Sequence, residues 1–310
     1  MLFILSAAIV NAAEHEFKVL AVKGDVKVSE NGGSWQKLKA NSKLDTKDKL
    51  KVGSGDYVGL VHKSGFTLEI DKQGEYSARD LSREAEGKNY QLSQKFTDYV
   101  IDEISNADDI LTSKDYHDNM SLTGSVERGM AVMASKSGTD ALNPGKKILI
   151  ANYPWKTDLL DGDVTLAWLE EPDVNNYKII ITDRYDKVVY FTETSDTFCF
   201  LELEEKGLER GNYYFWQVCN AADENQCSMQ NAVRILNDSK SIDVKNQLEE
   251  LKSQLKEESA ISWVILAKFY EDHELYADAM RSYQQAVDLR PDAEAYQKLY
   301  SIFLYNLTNQ

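Results

Sequence analysis

The sequence predicts a multidomain chain of the β-plus-α class: a small all-β unit, a second β region of sandwich type, and an α-helical C-terminal end. Three observations carry this. Apolar residues alternate with period two between Phe17 and Ile70, and again between Lys146 and Leu236. From Ile242 onward the apolar period becomes helical. With 310 residues there is room for two or three domains, and 43% hydrophobic residues let each bury a core.

The first residues read as an export signal over 1–13. Leu2 to Val10 is a nine-residue, almost wholly apolar run, followed by Ala12 and Ala13 and then by Glu14-His15-Glu16. The run is shorter than the roughly 20 residues a membrane helix takes. No Lys or Arg precedes it, which points to a start upstream, and no Cys follows it, so a lipid anchor at that point is not expected. No later segment reads as a transmembrane helix. The expected location is therefore periplasmic or secreted.

The formal net charge of −16 argues against a nucleic-acid binder, which needs a basic surface to displace counterions. Half of that excess lies between Asp161 and Arg210, where thirteen acids face five bases. It reads as a solvated surface. The cysteines are Cys199, Cys219 and Cys227. In an oxidising compartment Cys219 and Cys227 are placed to bridge a hairpin, worth about 2–3 kcal/mol on the chain-entropy account. Cys199 is left as a small core residue.

The first β unit, 14–106 with a packing helix, is punctuated by turns at Gly24-Asp25, Asn31-Gly32-Gly33, Gly53-Ser54-Gly55 and Ser64-Gly65. Its alternating residues include Val19, Val22, Val26, Val28, Trp35, Leu38, Leu44, Leu50, Val58, Leu60, Phe66, Leu68 and Ile70, all expected to face one core. Leu92, Phe96, Tyr99 or Val100, and Ile104 then form a helical stripe ending near Asn106, expected to pack on the β unit. Residues 107–145 read as a connector with a strand or turn at Met120 to Gly124.

Val22-Lys23-Gly24-Asp25-Val26, the middle stretch of Trp35, Leu38, Leu44 and Asp48-Lys49-Leu50, and the closing hairpin Gly55 to Leu60 with Ser64 to Leu68 resemble the FecR-like domain of bacterial envelope proteins. The resemblance covers the first quarter of the chain and implies a β-rich extracytoplasmic module, in some members a signalling one. Signalling members usually carry a cytoplasmic segment and a membrane span ahead of this domain.

Over 146–237, strands are expected near Ile148–Tyr153, Val164–Trp168, Tyr177–Thr182, Lys187–Thr192, Thr197–Leu203, Tyr213–Cys219 and Ala232–Leu236. Seven short strands in about ninety residues match an immunoglobulin-like sandwich. Trp168, Tyr177 and the run Gly211 to Val218 resemble the fibronectin type III family. On the aromatic strand Tyr213, Phe215 and Gln217 share one face, while Tyr214, Trp216 and Val218 share the other, and only one set can be fully buried.

In 238–310, Ile242, Leu248, Leu251 and Leu255 stripe a charged helix, and Ser259 is placed to cap the next. Trp263, Leu266, Ala267, Tyr270, Ala279, Tyr283, Ala286 and Pro291 fall at the spacing of a tetratricopeptide repeat, and the chain resembles that family there. Gln297 and Ser301 stand where the next repeat would need Trp and Gly, so one repeat and a capping helix are expected. The resemblance implies a helical hairpin that docks protein, with Ile261, Val264, Lys268 and Glu271 as its partner-facing positions.

No motif for chemistry emerges. His15, His62, His117 and His273 are scattered and read as surface residues, without an HExxH spacing. Gly53-Ser54-Gly55 lacks the nucleophile elbow, no phosphate loop is present, and Asp161-Gly162-Asp163 lacks the remaining ligands of a calcium loop. Catalysis, cofactor binding and metal binding are not expected. The leading function is an exported, non-catalytic scaffold for protein partners in the cell envelope. The alternatives are a FecR-like signalling regulator acting through a membrane partner and a glycan or cell-wall module using an aromatic face at Tyr214 or Trp216.

Overall fold

The computed structural model describes residues 15–86, 90–112, 149, 151–154, 156–256 and 259–308. The export-signal segment, His117 and the Met120 to Gly124 turn lie outside the described residues. The chain divides into two compact units, Met1–Lys95 and Phe96–Gln310.

The first unit contains β1 (Phe17–Lys23), β2 (Lys27–Ser29), β3 (Trp35–Lys37), β4 (Lys43–Leu44), β5 (Lys49–Val52), β6 (Tyr57–His62), β7 (Thr67–Ile70), β8 (Gly74–Ser77) and a short helix α1 (Ala78–Ser82). Two antiparallel sheets form, ordered β4-β1-β6-β7 and β3-β2-β5-β8. Their alternating residues share one core built on Phe17, Val26, Leu44, Leu50, Val58 and Leu60. Asp56 joins two of the turns by accepting from the Gly53 and Asp25 amides at 3.0 and 3.2 Å. Gly24, at φ +85°, makes room for it: a Cβ there would lie 1.9 Å from the Asp56 carboxylate. Trp35 departs from the expected core pattern. It is exposed on the short strand β3, with Lys51 5.7 Å from its ring centre. Strand β8 and helix α1 carry no clear periodicity, which is why the sequence did not announce them.

Helix α2 (Gln91–Leu111) runs about five residues beyond the expected end. Its start belongs to the first unit: Ser93 donates to the Gly65 carbonyl at 2.8 Å, and Gln94 to that of Lys63 at 2.9 Å. Gly65, at φ +89°, is needed there because a Cβ would meet the Gln94 amide nitrogen at 2.5 Å.

From Phe96 the chain belongs to the second unit. Among the described residues its β part has nine strands: β9 (Ala151–Tyr153), β10 (Lys156–Leu159), β11 (Asp163–Trp168), β12 (Tyr177–Asp183), β13 (Val188–Thr194), β14 (Phe198–Glu202), β15 (Tyr213–Asn220), β16 (Asp223–Cys227) and β17 (Asn231–Ile235). One sheet is ordered β10-β17-β15-β12-β13 with β16 paired to β15, and the other β14-β11-β9. The expected strand Ile148–Tyr153 covers β9 alone; β10, which follows Pro154, and the polar β16 were not anticipated. Both sheets contribute to a core of Leu166, Trp168, Tyr177, Ile179, Ile181 and Trp216. Cys219 and Cys227, directly paired across β15 and β16, form a disulfide.

Four helices follow: α3 (Asp238–Gln254), α4 (Ala260–Asp272), α5 (Tyr276–Leu289) and α6 (Glu294–Thr308). Asn237 caps α3 by accepting from the Lys240 amide, and Ser259 caps α4 by accepting from Ser262. No described helix is long and apolar enough to cross a membrane.

Candidate functional site

The residues singled out at the helical end differ in burial. Ala267, Ala279, Tyr283 and Ala286 are fully buried, and Leu266 is nearly so. Trp263 and Tyr270 are half-buried, and Pro291 is exposed after α5. Tyr283 stacks on Tyr300 and Phe303 of α6, at 6.1 and 5.2 Å between ring centres.

The positions expected to face a partner are not open. Ile261 and Val264 are fully buried, and α4 is apolar almost all round, as a helix covered on every side must be. The cover includes α2. Phe96, buried on α2, meets Phe269 of α4 edge-on at 5.4 Å, so the stripe expected to lie on the β unit packs here instead. Tyr99 is exposed and Val100 carries the stripe. Periodicity shows that a face must be covered and is silent on what covers it.

Lys268 and Glu271 meet α2 in a polar cluster. The Lys268 ammonium lies 3.0 Å from Glu103 of α2 and 2.9 Å from Glu271. The Tyr283 hydroxyl donates to the other Glu271 oxygen. Burial holds the Glu271 carboxyl above its ordinary range, only partly offset by Lys268. Burial alone would lower Lys268, but the charges of Glu271 and Glu103 outweigh it and hold the ammonium up. A lysine tuned that way is the opposite of an amine nucleophile, which needs a depressed value. The cluster borders a cavity of about 360 Å³ lined also by Tyr99, Asp102 and Asp272.

A second cavity, of about 230 Å³, opens between the strands and α4–α5, lined by Tyr153, Asp161, Asp163, Tyr270, Asp278 and Arg281 among others. Burial pushes the Tyr153 and Tyr270 phenols up to about 12, so both stay protonated near neutrality. Tyr153 donates to the Ala277 carbonyl at 3.1 Å, the Ala277 amide to Thr157 at 3.1 Å, and the Asp158 amide to the Glu274 carbonyl at 2.9 Å. Arg234 reaches both Asp158 and Glu274. These bonds tie β9 and β10 to the start of α5.

In the first unit His62 is buried rather than on the surface. The cause is its place at the end of β6, where Ser64 lies 2.8 Å from Nδ1, while Ser82 and Glu16 lie 3.0 and 3.2 Å from Nε2. Ser82 donates directly to the Glu16 carboxylate at 2.8 Å. The serine proton is thus held by the carboxylate and not presented to the imidazole, so the trio is not arranged as a proton relay. His15 pairs with Asp45 at 2.8 Å, and His273 lies 4.5 Å from the Phe269 ring. Among the described residues no cluster of His, Cys, Asp and Glu could hold a metal ion.

The outer surface of the two sheets is different in kind. On β15 the set Tyr214, Trp216 and Val218 is the buried one, so the aromatic face proposed for glycan cannot use Tyr214 or Trp216; Trp216 donates to the Pro154 carbonyl at 2.9 Å. Tyr213 stays exposed beside Arg234, as do Tyr185, Val189, Phe191, Phe198 and Phe200. Cys199 is free and half-buried, its thiol pushed up by burial. Alternation along β14 puts Phe198 and Phe200 on one face, and both are left open.

No protein-family model matches the chain, and no curated protein matches it. Twelve chains of solved structures match. One is a β-1,2-glucanase from Parabacteroides distasonis, 14% identical, aligned over 48% of this chain and 24% of that one with a TM-score of 0.21. Another belongs to a cytokine receptor complex, 11% identical, over 73% of this chain and 100% of that one with a TM-score of 0.22. The chain thus spans about a quarter of the length of the glucanase, and likeness at this level carries no argument about function.

Proposed function

We propose that the chain is an exported, non-catalytic scaffold that docks protein partners of the cell envelope, and that its working surface is the sandwich and not the helical end. On this reading a FecR-like β unit precedes a fibronectin III or immunoglobulin-like sandwich, and a tetratricopeptide-type hairpin closes the chain. The observation that carries the proposal is the set of large apolar side chains left exposed on the two sheets and one turn: Phe198 and Phe200 on one sheet, Val189, Phe191 and Tyr213 on the other, and Tyr185 in the turn after β12. Phe198 and Phe200 alternate on one strand and so share a face, and contiguous exposed apolar surface of that kind marks interaction sites. The Cys219–Cys227 disulfide suits an oxidising compartment. The helical end supports docking less well, because Ile261 and Val264 are buried and Lys268 is paired with Glu103 of α2.

Crosslinking of the mature full-length chain in envelope extract tests this. A partner captured by the wild type should be lost with Phe191→Asp plus Phe200→Asp. Retention by that double variant, with loss on substituting exposed residues of α5 or α6 instead, would return the docking surface to the helices. Turnover in a broad hydrolase screen would overturn the non-catalytic reading.

A further inference from the structure

The three-stranded sheet ends on β14. Its pairing with β11 runs without a break, from Asp163 opposite Glu202 to Ala167 opposite Phe198. In an antiparallel ladder alternate residues bond inward and the rest bond outward. Thr197 accepts from the Trp168 amide at 3.0 Å, and Leu203 donates to Gly162 at 2.8 Å. The inward series is therefore 197, 199, 201 and 203, and the backbone groups of Phe198 and Phe200 and the Glu202 amide point away from the sheet, while the Glu202 carbonyl accepts from the Lys206 amide at 3.3 Å.

Natural edges are blunted with lysine, proline or bulges. The neighbouring edge strand β13 has such a bulge, with Val189 the extra residue where the register jumps between Ile181 and Thr182, and Lys178 lies over the Phe191 ring at 5.2 Å. Strand β14, Phe-Cys-Phe-Leu-Glu, has none of these devices. Cys199 and Leu201 face the core, while Phe198 and Phe200 are each 56% exposed. Beside them on β11 stand only Ala167 and Thr165, which leaves an apolar shelf.

The shelf ends in acid. Glu202 lies opposite Asp163 and close to Glu205; hydrogen bonding with Glu205 and the charges of Glu205 and Asp163 raise its carboxyl, with Lys206 opposing. A cation brought there meets three carboxyl groups, Glu202, Glu205 and Asp163, against the one ammonium of Lys206.

We infer that the open edge of β14 accepts an extended segment of a partner protein as an added strand, with Lys or Arg opposite Glu202 and apolar residues opposite Phe200 and Phe198. The inference deepens the docking function and rests on it. In the antiparallel sense the segment reads Lys/Arg-x-apolar-x-apolar: main-chain bonds hold it, and the alternate side chains select it. A second copy fits poorly. A two-fold axis through Phe200 would set Phe198 of each copy against Glu202 of the other.

The probe is a fluorescein-labelled peptide, Thr-Lys-Thr-Val-Thr-Val-Thr, titrated with the full-length chain and followed by anisotropy. Saturable binding is expected, weakened at least tenfold by N-methylation of both Val residues, which removes amides an added strand must donate. Phe200→Asp should weaken it at least tenfold and Glu202→Lys at least threefold, while Phe191→Asp leaves it unchanged. A peptide with Glu in place of Lys should prefer the Glu202→Lys variant. Equal binding of the N-methylated peptide, equal sensitivity to Phe191→Asp, or no saturation by about 1 mM would overturn the inference. So would a dimer in sedimentation that Phe200→Asp abolishes, which would assign the edge to a second copy. If the crosslinked partner is lost with the Phe191/Phe200 double variant while the peptide fails to bind, docking stands and strand addition does not.

Discussion

Two faces of the second unit answer the same chemical demand in opposite ways. On α4, Ile261, Val264 and Phe269 are apolar and fully buried, covered in part by a helix the chain itself supplies. On β14, Phe198 and Phe200 are as apolar and stay in water. Both faces are regular in their spacing, helical on α4 and alternating on β14. The difference teaches that a pattern states the need for a cover, while only the rest of the chain decides whether one is provided. A face covered internally contributes to stability. One left uncovered is available to something else.

The sharpest way to break this comparison is to truncate one ring from each face. Phe269→Ala should destabilise the second unit by about 3–5 kcal/mol, through lost contact and the cavity left behind. Phe200→Ala should change it by no more than about 0.5 kcal/mol. Urea unfolding followed by circular dichroism measures both, and equal losses would erase the distinction.

The polar part of the covered face sharpens it further. Lys268→Met removes the cation that bridges Glu103 and Glu271, and should cost about 3 kcal/mol at pH 7, the usual consequence of stranding a buried charge. Burial already holds the Glu271 carboxyl high, so it takes up a proton early as pH falls. The deficit should therefore shrink toward pH 5. A deficit independent of pH would show that the lysine contributes packing alone.

Next in size comes the disulfide beside the buried aromatic strand. Cys219→Ser should lower stability by about 2–3 kcal/mol, through lost loop closure. Thermal unfolding with and without reductant checks it, and reductant should have no further effect on the variant.

The smallest effect belongs to the first unit. Burial raises the Glu16 carboxyl, but hydrogen bonds from Ser82, His62 and Lys63 and the Lys63 charge outweigh it, so Glu16 titrates below its ordinary value. A depressed carboxyl contributes stability above its unfolded value and loses it as pH falls through the folded one. Glu16→Gln should thus be less stable than wild type near neutrality and lose less on acidification. Parallel acid limbs for the two proteins would show that the carboxylate contributes nothing.

Much was legible beforehand because it depends on neighbours in sequence. The turns at Gly24-Asp25 and Ser64-Gly65 follow from glycine's freedom at positive φ, and the helix start at Ser259 from its side-chain oxygen. Alternation on β15 required that one of two aromatic sets be buried, and the helical apolar period from Ile242 onward matched a helical C-terminal part. Tertiary structure alone decided the rest. It chose Tyr214 and Trp216 for the core, drew Phe96 onto Phe269 and Glu103 onto Lys268, buried His62, and left β14 at the rim of its sheet. The physical reason is that periodicity records which side chains avoid water, a property of each residue. Which surface meets them depends on segments far apart in sequence, and that pairing is settled only when the whole chain competes to cover its apolar faces.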